Sequence, residues 1–360
     1  MAEKNTSPSS LPHIDAEQIA LLEKLCNACA VSGDESEVRA IVLQELKDYA
    51  DEMRVDALGN VLVTRKARQP NALRVMVAAH MDEIGFMLVD DNEGGLYRFA
   101  LVGGIDERSL VGKPVLVGKQ HLPGVIGAAP IHLTTADERQ RSIPLSGLQI
   151  DLGPEGKARV GDRATFATRF RQVGPSIFAK ALDDRLGVAM LIELVKHAPE
   201  HIELLAAFTV QEEVGLRGAK VAAYAFKPDL AFVLDSTPAA DLPMWDGSEN
   251  TQYNTRLDAG PAIYIADAAT LADPRLVRYM AQTAEAEGIP YQFRQAGGGG
   301  TDAGAIHKQL SGIPSVSISV PGRYPHTAVL ITRMDDWEHT LQLMTAALQR
   351  LTPDIFAEER

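Results

Sequence analysis

Apolar residues follow two alternating patterns along most of the chain. Short continuous apolar runs indicate strands covered on both faces of a sheet, at residues 73–79, 204–210, 230–234 and 316–320. Apolar positions three and four residues apart indicate helices, at residues 15–30, 35–49, 184–197, 218–224, 274–287, 303–310 and 334–351. The alternation of these elements predicts an α/β domain with helices on both faces of its sheet.

The pattern changes between residues 85 and 170. Helical periodicity nearly disappears there, and short β-like runs alternate with Gly, Pro and Asp turns. A small all-β, barrel-like module inserted into the α/β domain would explain the change. We therefore expect a discontinuous α/β domain, residues 1–84 and 171–360, around a β-rich domain of residues 85–170.

Composition and charge narrow the class of protein. The 360 residues, 46% of them hydrophobic, are enough for two domains. A net charge of -13 without any Lys/Arg cluster argues against nucleic acid as a partner. No stretch approaches the roughly 18 apolar residues of a membrane span. The first twelve residues are polar, so we expect a flexible arm and no signal peptide, which indicates a cytoplasmic protein.

The two cysteines, Cys26 and Cys29, have C-x-x-C spacing. A redox or zinc role would need a thioredoxin-like strand before them or a second cysteine pair, and the sequence has neither. Both fall within the predicted helix 15–30. We therefore expect buried, reduced helix positions.

Two adjacent acids, Glu212 and Glu213, follow the apolar run 204–210. On an extended segment, adjacent side chains point in opposite directions, so one carboxylate could bind a metal while the other acts as a base. Metal-assisted hydrolysis needs that division. An adjacent acidic pair is more often a solvated turn, so the pair alone does not decide.

Four potential metal ligands follow predicted strands, namely His80, Glu213, Asp235 and His326. In open α/β sheets, ligands bind beyond the carboxyl ends of the strands, so these groups can converge there with Asp183, which starts the helix 184–197. Two histidines and three carboxylates suit zinc, cobalt or manganese. One shared carboxylate would give a paired site with ions about 3.5–4 Å apart.

Each candidate also has an ordinary explanation. A lone histidine after a strand is usually structural, and Asp183 could be a helix N-cap. Asp235, followed by Ser236 and Thr237, could belong to a simple turn. Spacing alone therefore does not establish the metal site.

Longer motifs connect these candidates, in chain order HMDEIGF at 80–86, KALDDR at 180–185, QEEVG at 211–215, GGTDAGAI at 299–306 and RYPHT at 323–327. They resemble the motifs of the tetrahedral (TET-type) aminopeptidases, the glutamyl and deblocking aminopeptidase family of dinuclear metallopeptidases. The resemblance extends over nearly the whole chain, including the insert, and leaves out only the N-terminal arm. It implies a zinc-exopeptidase-like fold with a mixed central sheet.

The resemblance also implies a role for each candidate ligand. His80 and Asp235 would hold one metal ion, Glu213 and His326 the other, and Asp183 would bridge them. The family often has a cis peptide after the bridging aspartate, here Asp183–Asp184. The chain departs from the family in having Pro before and Thr after the last histidine instead of Ile and Ser, which puts the orientation of that side chain in question.

Catalytic and substrate-binding roles are implied in the same way. Glu212 would be the general base that activates a water between the metals, and Asp82 would orient His80. The glycine-rich stretch 297–304 lacks the Lys-Ser/Thr of a phosphate-binding loop, so its glycines are expected to let backbone approach the substrate. The expected substrate contacts are Gly299, Gly300, Thr301, Asp302 and Arg323.

The function that follows is that of a dinuclear-metal aminopeptidase acting on short peptides with a free N-terminus. Two divalent ions per subunit are expected, zinc in the first place and cobalt or manganese as alternatives. The resemblance implies dimers formed through the β insert and assembled into a hollow dodecamer. Two alternatives stay open, a related dinuclear hydrolase (deacylase, carboxypeptidase or endoglucanase) and a catalytically silent metal-binding scaffold.

Overall fold

A computed structural model of the chain describes residues 11–248, 250, 255–357 and 359–360. Most of the predicted N-terminal arm, residues 1–10, lies outside the described residues. The α-helices are α1 Ala16–Asn27, α2 Ser36–Leu46, α3 Leu182–Lys196, α4 Arg217–Phe226, α5 Pro274–Glu287, α6 Ala303–Ile306 and α7 Met334–Arg350. None of these described helices has the length and hydropathy that a membrane crossing requires.

The strands fall into three groups. They are β1 Glu52–Val55, β2 Val61–Arg65, β3 Arg74–His80, β4 Gly85–Asp91, β5 Leu96–Val102, β6 Pro114–Val117, β7 Leu122–Gly127, β8 Gln149–Asp151, β9 Arg163–Phe166, β10 Arg171–Val173, β11 Ser176–Ala179, β12 Glu203–Thr209, β13 Leu230–Pro238, β14 Ala262–Tyr264, β15 Gln292–Arg294, β16 Ser315–Gly322 and β17 Leu330–Arg333.

The central sheet has eight strands in the order β1-β2-β12-β3-β13-β16-β14-β15. Its middle strands β12, β3, β13 and β16 are parallel, whereas β1, β2 and the β14–β16 pairing are antiparallel. Parallel strands buried on both faces read as continuous apolar runs, which is why the sequence pattern located all four. The predicted mixed sheet is confirmed.

Alternate residues of β3 belong to different hydrophobic cores because successive strand side chains point to opposite faces. Val75, Val77 and Ala79 pack into the larger core, which includes residues of α1, α2, α3, α5 and α7. Met76 and Ala78 pack into a smaller core with residues of α4 and α6. Helices therefore cover both faces of the sheet, as predicted.

Strands β4 to β9 form a closed antiparallel barrel in the order β4-β5-β8-β7-β6-β9. Phe86 lies inside the barrel, with edge-to-face contacts to Phe99 and Phe166 at ring-centroid distances of 5.1 and 5.2 Å. The barrel-like insert is thus present in the chain where the sequence pattern changes. Its predicted boundaries, residues 85 and 170, and its role as a separate domain stay predictions.

Several short elements differ from the prediction. The three-stranded sheet β10-β11-β17 was not predicted, because strands of three or four residues carry too few positions to show a period. Helix α1 ends at Asn27, so Cys26 is a buried helix position but Cys29 lies beyond the helix and is only half-buried. The expectation of two buried helix cysteines was therefore wrong for Cys29.

A buried ionic network joins the barrel to the α/β part. The Glu83 carboxylate accepts hydrogen bonds from Lys180 at 2.8 Å, Arg185 at 3.2 Å, the Thr165 hydroxyl at 2.8 Å and the Ala30 N–H at 2.9 Å. Burial alone would raise the pKa of Glu83, but the two cations lower it below its usual value. The network anchors the segment that leads from β3 into the barrel.

Candidate metal centre

The carboxylate of Asp183 lies between two histidines. Its Oδ1 is 3.2 Å from His80 Nε2, and its Oδ2 is 3.6 Å from His326 Nε2. Asp235 Oδ1 lies 3.9 Å from His80 Nε2, and Glu213 Oε2 lies 3.4 Å from His326 Nε2. Two groups of ligand atoms result, each within 4.8 Å, and Asp183 belongs to both.

The sheet explains why distant residues meet here. His80 is the last residue of β3, and it pairs in parallel register with Thr209, the last residue of β12. Asp235 lies in β13, which runs parallel to β3. Because parallel strands end at the same edge, their terminal side chains share one crevice. The structure therefore brings together all five predicted ligands.

The segment that carries the shared carboxylate is irregular. The Asp183–Asp184 peptide bond is cis, as the family resemblance implied, and both residues have non-helical dihedrals within the first turn of α3. The neighbouring carboxylate, Asp184, is fully buried and accepts the backbone N–H groups of His80 at 3.2 Å and Gly187 at 3.0 Å. Sequence reasoning missed Asp184, because an acid beside a candidate ligand gives no separate signal.

Asp82 holds the turn that carries the acidic pair. Its Oδ1 accepts the backbone N–H of Glu212 at 3.0 Å, and its Oδ2 accepts the N–H of Glu213 at 3.2 Å. Oδ2 also accepts the Ser32 hydroxyl at 2.6 Å. The His80 ring is closer to the Asp82 main-chain oxygen, at 3.1 Å from Nδ1, than to its carboxylate, at 3.6 Å. No local pattern links Ser32 to an acid fifty residues away, so the sequence could not reveal it.

Glu212 and Glu213 lie in a turn and not on an extended segment, which corrects the expectation from the sequence. The turn begins after β12 at Gln211, whose φ of 58° is left-handed. The two side chains still diverge in role. Glu213 faces His326, whereas Glu212 lines the open pocket without belonging to either ligand group.

The last histidine points into the site despite the preceding proline. His326 Nδ1 lies 2.9 Å from the carbonyl oxygen of Gly104, which follows β5 in the barrel. A Cβ atom on Gly104 would lie 3.2 Å from that ring nitrogen, so the close approach requires glycine. Pro325 thus does not turn the imidazole away.

A pocket of about 880 Å³ opens over the ligand groups. Gly299, Gly300 and Thr301 line it, in agreement with their predicted position near the substrate. Tyr264 and Arg294 line it as well, and the Arg294 guanidinium carbon lies 4.7 Å from the centroid of the Tyr264 ring. Sequence reasoning missed both, since neither belongs to a recognisable motif.

Two other predicted substrate contacts lie elsewhere. Asp302 is buried, and its carboxylate accepts the hydroxyl of Thr209. Arg323 forms a bidentate pair with Asp241, with N–O distances of 2.7 and 3.0 Å. The structure therefore places these two side chains in hydrogen bonds within the protein, away from the residues that line the pocket.

The site concentrates negative charge in a buried place. Burial raises the pKa of Glu213 to about 7 and raises the pKa values of Glu212 and Asp235 well above the usual range. Asp183 differs, because the hydrogen bond from His80 and the charges of both histidines outweigh burial and lower its pKa to about 2. Carboxylate and imidazole donors in this arrangement fit divalent ions such as zinc, cobalt or manganese, which would compensate the charge.

Comparisons with known proteins agree with this geometry. The sequence pattern of the M42 glutamyl aminopeptidase family matches residues 59–343. The glutamyl aminopeptidase of Lactococcus lactis is 33% identical over 346 residues, which cover 91% of this chain and 95% of the relative. An aminopeptidase structure from Desulfurococcus kamchatkensis superposes with a TM-score of 0.88 at 35% identity, covering 94% and 96% of the two chains. The TET1 peptidase of Pyrococcus horikoshii superposes with a TM-score of 0.81 at 34% identity, covering 93% and 100%.

Proposed function

The chain belongs to the M42 glutamyl aminopeptidase family and is a peptide hydrolase, and we propose that it is a dinuclear-metal aminopeptidase that removes N-terminal residues from short peptides. The family implies divalent metal ions. The observation that carries the proposal is the Asp183 carboxylate, whose two oxygens face two different histidines. A carboxylate shared between two ligand groups is what a paired-metal site requires.

Each ion would have its own ligands besides this shared carboxylate. His80 and Asp235 would hold one, and Glu213 and His326 the other. Zinc is the ion we expect first, with cobalt or manganese as alternatives. When bound, the two ions would supply Lewis-acid polarisation of the substrate carbonyl and acidify water.

Glu212 acts as the general base. Its carboxylate lines the pocket outside both ligand groups, so it is available to take a proton from the attacking water. The water oxygen bonds to the carbonyl carbon, the C–N bond breaks, and Glu212 returns the proton to the leaving amine. Burial, which raises the pKa of Glu212, makes its carboxylate a stronger base than an exposed one.

Asp82 is a positioning residue in this scheme. It binds the backbone of Glu212 and Glu213 through its carboxylate and approaches His80 Nδ1 with its main-chain oxygen. Gly299, Gly300 and Thr301 form the wall along which the substrate backbone runs, and Asp302 and Arg323 support that wall without touching the substrate.

The protein also assembles with itself in this proposal. Residues 85–170 form the dimerisation domain, and residues 1–84 and 171–360 form the catalytic domain. The Pyrococcus horikoshii TET1 peptidase assembles into a tetrahedron or a large octahedral shell, which supports a dodecamer built from dimers. Mass photometry at working concentration tests this directly, since a monomer alone would remove the compartment. The free cysteines suit the reducing cytoplasm, which cell fractionation can check.

The central experiment is a panel of aminoacyl-anilides and matched N-acetylated peptides, assayed on metal-free protein reloaded with zinc, cobalt or manganese. Hydrolysis of substrates with a free N-terminus and not of their acetylated counterparts is expected. Equal hydrolysis of both would contradict the aminopeptidase and favour a deacylase or endopeptidase. The panel also identifies the preferred N-terminal residue and metal.

A further inference from the structure

A second cluster of metal-ligating side chains lies away from the proposed dinuclear centre. Cys29 follows α1, Glu37 lies in the first turn of α2, and His121 lies in the turn between β6 and β7 of the barrel. One ligand atom of each residue lies within 4.8 Å of the others. A thiol, a carboxylate and an imidazole at this separation are the donor types of protein zinc sites.

Glu37 is the centre of the cluster. Its Oε1 is 2.6 Å from His121 Nε2, and its Oε2 accepts the backbone N–H of Cys29 at 2.9 Å. An ordinary imidazole–carboxylate pair would be complete with these contacts. It would not require a thiol alongside it, and the part of the chain that the structure describes contains no hydrogen bond to the Cys29 sulfur.

The space and the neighbouring charges also suit a small cation. A cavity of only about 10 Å³, lined in part by Cys29 and Glu37, could hold one ion or water but no organic ligand. Its two cationic neighbours are engaged elsewhere, Lys119 with Asp34 and Arg163 with a backbone carbonyl. The three candidate ligands are half-buried, so an ion could enter from solvent.

We infer that Cys29, Glu37 and His121 form an additional, structural binding site for a divalent ion of zinc type. The Cys29 thiol releases its proton to solvent as the sulfur–metal bond forms, and neutral His121 supplies Nε2. Three protein ligands leave a fourth position for water. The ion would tie the α1–α2 segment to a barrel turn 84 residues further along the chain from Glu37. This inference does not depend on the proposed dinuclear centre.

Cobalt substitution tests the site in the full-length protein. A thiolate bound to Co²⁺ gives a charge-transfer absorption in the near ultraviolet, and the proposed dinuclear centre has no cysteine that could produce one. Titration of metal-free protein with Co²⁺ is expected to produce this absorption. Cys29→Ser and His121→Gln should abolish it, whereas Cys26→Ala should keep it because the Cys26 sulfur lies in the core.

Elemental analysis and peptide hydrolysis separate this site from the dinuclear one. After loading with zinc, Cys29→Ser should retain one metal ion fewer per chain than the unaltered protein and hydrolyse peptides at the same rate. Absence of the cobalt absorption in the unaltered protein, or its persistence in Cys29→Ser, would overturn the inference. Failure of the aminopeptidase assay would leave the cobalt result unaffected.

Discussion

The carboxylate of Asp82 accepts a hydrogen bond from the backbone N–H of Glu212 at 3.0 Å. The same residue lies two positions after His80, whose ring nitrogen Nδ1 is 3.1 Å from the Asp82 main-chain oxygen. One residue therefore sets the position of a proposed ligand and of the proposed base. Displacement of this turn would disturb metal binding and proton transfer together.

Replacement of the proposed base should separate proton transfer from metal binding. Glu212→Gln is expected to lower kcat by roughly 10²–10⁴-fold, the usual contribution of general acid–base catalysis, because the amide cannot accept the proton. Its metal content should be unchanged. Glu213→Gln is the matched control, and it should lose metal. Full turnover by Glu212→Gln would refute its role as the base.

Removal of a proposed ligand should be visible without any substrate. His80→Ala is expected to retain less metal after dialysis, as measured by elemental analysis, because its imidazole faces both Asp183 and Asp235. His132→Ala, a change of an exposed histidine in the barrel segment, serves as the control. Equal metal content in the two variants would argue against His80 as a ligand.

Substitution of the positioning residue should affect both stability and rate. Asp82→Asn places an amide donor among three groups that donate to this side chain, the Ser32 hydroxyl and the N–H groups of Glu212 and Glu213. An unsatisfied buried polar group costs about 1–3 kcal/mol in the free energy of unfolding, measurable by denaturant titration. Ser32→Ala removes a single donor and should cost less. An Asp82→Asn protein as stable and active as the unaltered one would contradict this function of Asp82.

Asp336 should make stability depend on pH away from the metal centre. Its buried carboxylate accepts the backbone N–H groups of Asp258 and Gly260, both at 2.8 Å. Burial raises the pKa of Asp336 from 3.8 to about 6. The native state therefore favours the protonated acid, and this contribution to stability is complete below about pH 3.8 and is lost as pH rises through about 6.

The loss can reach about 3 kcal/mol, at roughly 1.36 kcal/mol per pKa unit. Asp336→Asn, which stays neutral, should show a smaller decrease in the free energy of unfolding between pH 4 and 7. Exposed Asp335→Asn is the control and should follow the unaltered protein. Parallel stability curves for all three proteins would contradict the raised pKa.

Metal removal should lower thermal stability. Ions that bind only the folded state stabilise it by about 2.7 kcal/mol when their concentration is 100 times Kd. Treatment with a chelator should therefore lower the midpoint of thermal unfolding, and added zinc should restore it. An unchanged midpoint, with metal loss verified by elemental analysis, would show that the ions contribute nothing to folding.

The strand ends of the site could be predicted from the sequence because buried parallel strands carry an unmistakable apolar pattern. His80 and Asp235 were located in this way, before any resemblance was considered. Pairing of individual ligands into two groups needed the family motifs, since spacing along the chain does not reveal which strands are neighbours. The position of Asp183 between two histidines became visible only in three dimensions.

Other features could not be predicted because they depend on long-range contacts. Ser32 binds a residue fifty positions away, and Arg294 reaches the pocket wall beside Tyr264. Cys29 appeared to belong to a helix, since periodicity continues past the point where α1 ends. The residues that complete its cluster come from a second helix and from a barrel turn, which no local motif connects.

The closed barrel limits how two copies of this chain can recognise each other. Each of its six strands is hydrogen-bonded to a neighbour on either side, so within the described barrel no strand edge is left to extend. An open edge would invite pairing with any extended peptide, including the substrates themselves. Association through this barrel must therefore rest on side-chain shape and charge, which discriminate between partners, and a peptide passing nearby cannot be captured as an added strand.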